Sequence, residues 1–234
     1  MSDRKLDLIM KLLAKAESTT PQEAEALTEH AERLMLKYGI ERARLDARRA
    51  LHGGAHEEIV RELMLFSGSY ARDIRELGAG VAVALGTVRP LFGASGGDCA
   101  LYLVGCASDV SQARILIASL QVQSMVAMRH WWTAERDRYP WFDDTVRRRA
   151  RSGFVRGFGV GAADRIRESR AAVIEESGTG TEIMLASRRE RVDDAVRAMN
   201  TRRARSRDGA DPGSFLRGRS SGREANVGGR PVAP

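Results

Sequence analysis

Apolar positions in the first fifty residues recur at three- and four-residue spacing. Leu6, Ile9, Met10, Leu13 and Ala16 fall on one side of a helix with Asp7, Lys11 and Lys15 opposite, and Ala24, Leu27, Ala31, Leu34, Met35 and Tyr38 repeat the pattern in a second helix. Between them Thr20 is placed to cap free N–H groups, Pro21 suits the first helical position and Glu23 completes a capping box. Gly39 stands where a left-handed cap is wanted, with Ile40 folding back onto the last turn. The pattern therefore predicts a helical hairpin whose second helix ends at Gly39, followed by a short third helix from Glu41 to Arg49. Two short helices bury too little surface to stand alone, so the hairpin is expected to dock.

Beyond a linker at Leu51-His-Gly-Gly-Ala-His56, Ile59 to Leu65 reads as a strand, and Gly68-Ser-Tyr70 introduces a helix through Ile74, Leu77, Val81 and Leu85. Thr87–Phe92 and Cys99–Val104 flank the turn segment Gly93-Ala-Ser-Gly-Gly-Asp98 and predict a β-hairpin, its first strand at a sheet edge because Pro90 cannot donate to a ladder. Val110, Ala113, Ile117, Leu120, Met128 and Trp131 then keep helical spacing, with Ser108 or Asp109 as cap and an end near Arg138.

Arg156-Gly-Phe-Gly-Val-Gly-Ala162 has the look of a nucleotide-binding glycine loop, but no strand precedes it. Gly153, Gly157 and Gly161 are four apart instead, a small-residue groove beside a Phe154 and Phe158 ridge, and predict tight packing against the long helix before them. Val192, Ala195, Val196 and Met199 extend the helical pattern from Arg188 to Asn200, and Thr201 to Arg207 continue it as a basic strip. The expected fold class is α+β: an N-terminal helical hairpin (residues 1–50), a central α+β domain with a small three-stranded mixed sheet and long helices (57–175), and a basic helical C-terminal extension with a loose end (182–234).

The opening block also resembles a known family. Lys11-Leu-Leu-Ala-Lys-Ala16, Ser18-Thr-Thr20, Glu23-Ala-Glu25 and Leu34-Met-Leu-Lys-Tyr-Gly-Ile40 are similar to the first module of the domain of unknown function 2786 proteins, which are bacterial and phage chains. The resemblance implies a strand ending like Tyr102-Leu-Val-Gly105, a long helix, and then a helix of Phe-x-x-Gly-Phe type. It further implies that Phe215-Leu-Arg-Gly218, Gly222 and Ala225 form a short ordered helix against the body, with Phe where the family has Tyr. No activity, substrate or cofactor comes with it.

Charge changes the picture more than composition does. Residues 1–144 carry 18 basic and 20 acidic side chains, whereas residues 145–234 carry 20 and 11, so the excess behind the net charge of +7 lies in the C-terminal part. Only four basic residues are Lys, which makes that part wholly Arg, the side chain suited to bidentate phosphate contacts and stacking. Cys99 and Cys106 are seven apart in one strand, face opposite ways and cannot readily bridge, which suits a reducing compartment. No apolar run is long enough to span a membrane and the start lacks a secretory signal, so the expected location is the cytoplasm.

No catalytic constellation and no metal site is read from the sequence: His52 and His56 are separated by two glycines and lack the Glu of a His-Glu-x-x-His pattern, and no cofactor is expected. The candidate nucleic-acid-binding residues are Arg129, Trp132, Arg136, Arg138, Trp141, Arg147, Arg148, Arg149 and Arg151, where aromatics alternate with guanidiniums, and Arg202, Arg203 and Arg205 in the tail. The opposing reading is an aromatic corner between two helices with arginines paired to Asp137, Asp143 and Asp144. The expected function is a non-catalytic accessory protein binding nucleic acid through its Arg-rich C-terminal half. The alternatives are an adaptor docking a protein through residues 5–40, marked by exposure of Leu8, Leu12 or Leu36, and an enzyme whose carboxylate, His or Cys groups converge only in three dimensions.

Overall fold

A computed structural model describes residues 21–95, 98–138, 143–178, 180–199, 201 and 209–225, together with Leu8, Lys11, Leu12 and Lys15. Trp141, Arg202, Arg203 and Arg205 lie outside these residues.

Helix α1 runs without a break from Pro21 to Leu51. Gly39 does not end it. Its missing side chain instead admits the neighbouring long helix: a Cβ there would lie 2.6 Å from Gln112 Oε1, and Gln112 donates from Nε2 to the Met35 carbonyl at 3.0 Å. The expected third helix is therefore the continuation of the second, held by burial of Ile40, Ala43 and Asp46. The true stop is Gly53 (φ 77°), where Gly53 N–H bonds the Ala50 carbonyl and Gly54 N–H the Arg49 carbonyl, a Schellman closure.

Strand β1 (Ile59–Phe66), helix α2 (Ala71–Leu85), strand β2 (Val88–Ser95) and strand β3 (Asp98–Cys106) follow. The sheet order is β1-β3-β2, with Ile59 opposite Cys106 and Val88 opposite Gly105 at one end. The crossover through α2 makes β1 and β2 run the same way but leaves a one-strand gap, and β3 fills it from the hairpin. Both pairings are thus antiparallel and the sheet is not mixed. Pro90 lies on an edge strand, as expected.

Helix α3 (Ala107–Glu135) passes into a 3-10 turn at Arg136–Arg138, and α4 (Asp144–Glu176), α5 (Thr181–Arg197) and α6 (Pro212–Arg223) complete the described fold. Asp143 caps α4 and Asp211 caps α6, each accepting from the backbone N–H three residues on at 2.8 Å. One cluster of buried apolar side chains extends from Ala31 to Ala225 through the inner faces of α2, β3, α3 and α4.

The glycine groove of α4 meets α6, not the long helix before it. A Cβ on Gly157 would overlap the Phe215 carbonyl and one on Gly161 the Arg219 carbonyl; in return, Gly218 and Gly222 of α6 sit against the Phe154 and Phe158 carbonyls. Both helices carry glycine every fourth residue, so their backbones touch directly. The phenylalanine ridge is what faces α3: Trp131 stacks on Phe154 with centroids 4.9 Å apart and planes 20° from parallel.

Candidate nucleic-acid interface

The arginines divide into a buried cluster and an open one. Arg188 lies on the inner stripe of α5 with Leu185 and Val192, three and four residues away, and is only 3% exposed. Its Nε donates to Asp109 Oδ2 at 2.8 Å, Nη1 to Asp46 Oδ2 at 3.2 Å, and Nη2 to Glu57 Oε2 at 2.8 Å and Ser108 Oγ at 2.9 Å. Arg191 reaches Asp46 at 2.9 Å and the Glu57 carbonyl at 2.8 Å, and Arg42 stands 4.0 Å from Glu57. Three carboxylates therefore face three guanidiniums, and one buried network ties α1, the entry to β1, the start of α3 and α5 together.

This network replaces the expected cap of α3. Ser108 and Asp109 sit inside the first turn and point to Arg188, while the Glu57 carboxylate accepts from the Ser108 N–H at 2.7 Å and supplies the negative charge that a helix N-terminus favours. Burial opposes ionisation of Asp46 and Glu57, but the Glu57 N–H, His56 and Arg191 around Asp46, and Arg188 and Ser108 around Glu57, hold both carboxyls below their ordinary values. Asp109 is pushed up by its deeper burial, with Arg188 opposing. Burial also lifts the Cys106 thiol to about 11. Carboxylates and His56 converge here, yet guanidiniums fill the centre and satisfy the lone pairs, so the arrangement does structural work and leaves no position for a substrate. Among the described residues no group of His, Cys, Asp and Glu is placed to hold a metal.

The open cluster is at the other end of α2. A cavity of about 600 Å³ is lined by Ser67, Gly68 and Ser69, by Arg72 and Asp73 of α2, by Arg148, Arg149, Ser152 and Arg156 of α4, and by Gly209. Gly68 (φ 87°) turns the chain from β1 into α2, and Arg72 in the first turn of that helix lines the cavity together with the α4 arginines. Arg149 Nε donates to the Gly209 carbonyl at 2.8 Å and Arg148 Nη2 to the Ser69 carbonyl at 3.3 Å, which fixes both stems and leaves further N–H groups free to donate. Tyr70 stands beside them: burial pushes its phenol up, while Arg151 and Arg148 pull it down. The Arg151 guanidinium lies over the Trp132 ring, 5.0 Å from its centroid.

Residues 4–42 match the model of a family described as Protein of unknown function (DUF2786). That N-terminal segment, and not the rest of the chain, is similar to the DUF2786 family. No curated protein and no solved structure shows significant similarity to it. The match ends within α1, so the buried network and the cavity lie almost wholly beyond the matched segment.

Of the residues expected to bind nucleic acid, the fold gathers Arg148 and Arg149 at the cavity and sets Trp132 and Arg151 together beside Tyr70. Arg147, half-buried, pairs with Asp144 at 3.5 Å. Arg129, Arg136 and Arg138 are exposed on α3 and the turn after it, away from the cavity, and Arg138 is paired with Glu135 at 2.7 Å. Arg72 was missed because it precedes the basic segment in sequence by more than seventy residues; Ser67-Gly-Ser69 before a helix start was its one signal. Trp131 and Trp132 are both half-buried against the core, Trp131 stacked on Phe154 and Trp132 under the Arg151 guanidinium. At the N-terminal module, Leu36 is buried, Leu12 packs against the core, and Leu8 is 46% exposed. Among the described residues no helix is long and apolar enough to cross a membrane.

Proposed function

We propose that this protein binds nucleic acid through the basic face made by the first turn of α2 and the N-terminal half of α4. The observation that carries the reading is the convergence of Arg72, Arg148 and Arg149, from two helices 76 positions apart at Arg72 and Arg148, on one cavity in which Asp73 is the acidic lining residue. Guanidiniums held by backbone carbonyls are pre-organised for phosphate oxygens, and the neighbouring Arg151–Trp132 pair extends the face with a stacking group. Two free cysteines, one deeply buried, fit a protein working in a reducing compartment, which supports a cytoplasmic site of action.

The test is fluorescence anisotropy against labelled single-stranded DNA, duplex DNA and RNA over a salt series, comparing the protein with a variant in which Arg147, Arg148, Arg149 and Arg151 are all alanine. Phosphate contacts make log K fall with log salt by about 0.7–0.9 per phosphate neutralised, so the variant is expected to bind more weakly and with a flatter slope. Absence of binding to all three at low salt refutes the reading and turns attention to Leu8 and a protein partner for the N-terminal module.

A further inference from the structure

The cavity is concave and keeps a small excess of positive charge, and both properties narrow the ligand. We infer that it receives a terminal phosphate monoester at the end of a nucleic-acid strand. The inference rests on the nucleic-acid reading and adds to it which part of the strand enters.

Consider the charges that line the cavity. Arg156 is neutralised by Glu76 at 3.3 Å, and Asp73, 3% exposed, accepts from the Ser152 hydroxyl at 2.9 Å and forms an acidic floor. Arg72, Arg148 and Arg149 remain, none of them in a salt bridge among the described residues, so the formal balance presented to a ligand is about +2. A phosphate monoester carries about −1.5 to −2 at neutral pH and three terminal oxygens, whereas a diester within a strand carries one charge and two. Only the monoester has an acceptor oxygen for each of the three guanidiniums and a charge that matches theirs.

Shape points the same way. The chain segment Ser67–Ser69 and Gly209 join α2 and α4 in lining a half-open recess, and a volume of about 600 Å³ is that of a small-molecule site. An internal phosphate must enter with a sugar on either side, which a walled recess opposes; a strand end enters with one. Once the end is seated, Arg151 and Trp132 lie close by, on the Tyr70 side, to meet the following nucleotide.

The experiment uses the full chain and labelled oligonucleotides of about twelve nucleotides, within the usual span of a single-strand site, carrying a 5′-phosphate, a 3′-phosphate or hydroxyls at both ends. Either phosphorylated end is expected to bind about tenfold more tightly than the hydroxyl-ended strand, the scale of one to two charge-assisted hydrogen bonds. The exposed Arg72 allows a variant that keeps the fold, and Arg72→Gln is expected to weaken every strand but the phosphorylated ones more, so that their tenfold advantage shrinks to less than about threefold. Equal binding of all three strands overturns the terminal-phosphate inference and leaves the nucleic-acid reading standing; no binding of any strand overturns both. Competition by a nucleoside monophosphate or inorganic phosphate as effective as that of the phosphorylated strand also overturns it, by assigning the cavity to a free small anion.

Discussion

Arg188 and Asp109, 79 residues apart in sequence, are joined by two hydrogen bonds, Nε to Oδ2 at 2.8 Å and Nη2 to Oδ1 at 3.3 Å. Both are buried, and the same guanidinium serves Asp46 and Glu57. Replacing Arg188 by Met therefore leaves the buried Asp109 without a guanidinium and removes one partner each from Asp46 and Glu57, and is expected to cost about 3–5 kcal/mol in chemical denaturation. Arg188→Lys should be nearly as damaging, because one ammonium cannot span acceptors on three elements. A loss below about 1 kcal/mol in either variant would show that the network does not hold α5 to the body.

Acid should weaken the fold through Asp46 and Glu57. Their native pKa values lie below the ordinary 3.8 and 4.5, so the unfolded chain binds protons first as pH falls. The stability they supply is full above the ordinary values and drains away below them, as pH falls through the native values. Asp109, raised by burial, acts with the opposite sign and softens the slope. Urea midpoints measured from about pH 6 to pH 3 should fall steadily, and Glu57→Gln should flatten that limb; an unchanged limb in the variant would remove Glu57 from the account.

Two glycine substitutions should move stability in opposite directions. Gly157→Ala forces a methyl into the Phe215 carbonyl of α6, with an expected cost of about 1–3 kcal/mol and faster proteolysis of residues 209–225. Gly80 lies inside α2, where a Cβ would meet its nearest neighbour, the Ala163 methyl, at 3.8 Å, an ordinary contact. Gly80→Ala should therefore raise stability by about 0.5–1 kcal/mol through helix propensity. Thermal melts of the two variants decide it, and destabilisation by Gly80→Ala would contradict the packing described for α2 against α4.

Cys106 should resist modification in the native state. It is fully buried and burial lifts its thiol to about 11, so little thiolate exists at neutral pH. Iodoacetamide followed by intact-mass analysis should show at most one adduct, at the half-buried Cys99, until denaturant is added. Rapid labelling of both thiols would mean that the β3–α3 junction opens readily.

Local chemistry made much of this fold legible. Pro90 assigned an edge strand and the segment before Asp98 a hairpin, because each depends on neighbours within a few residues; the ordered final helix was expected only from the family resemblance, since a Gly-, Arg- and Ser-rich composition by itself reads as disorder. The small-residue stripe of α4 was equally plain, but a stripe states that something approaches closely, not what; α6 and not α3 fills it because only α6 carries matching glycines. Gly39 was misread for the same reason. A glycine that ends a helix and one that makes room for Gln112 of another helix look alike until that helix is in place.

By itself, then, the sequence determined the start of α1 at Pro21, the three strands, the run of amphipathic helices and the concentration of arginine toward the C-terminus, all properties set by periodicity and composition, while the first helix of the expected hairpin lies almost wholly outside the described residues. Tertiary structure alone decided what each arginine does. Helix phase and long-range packing turned Arg188 inward to three carboxylates, paired Arg147 with Asp144, and brought Arg72 across to Arg148 and Arg149 at an open cavity. A guanidinium is the same group in every case; burial and the charge of its neighbours make it a structural tie or a donor left open at a cavity, and those neighbours come from distant parts of the chain.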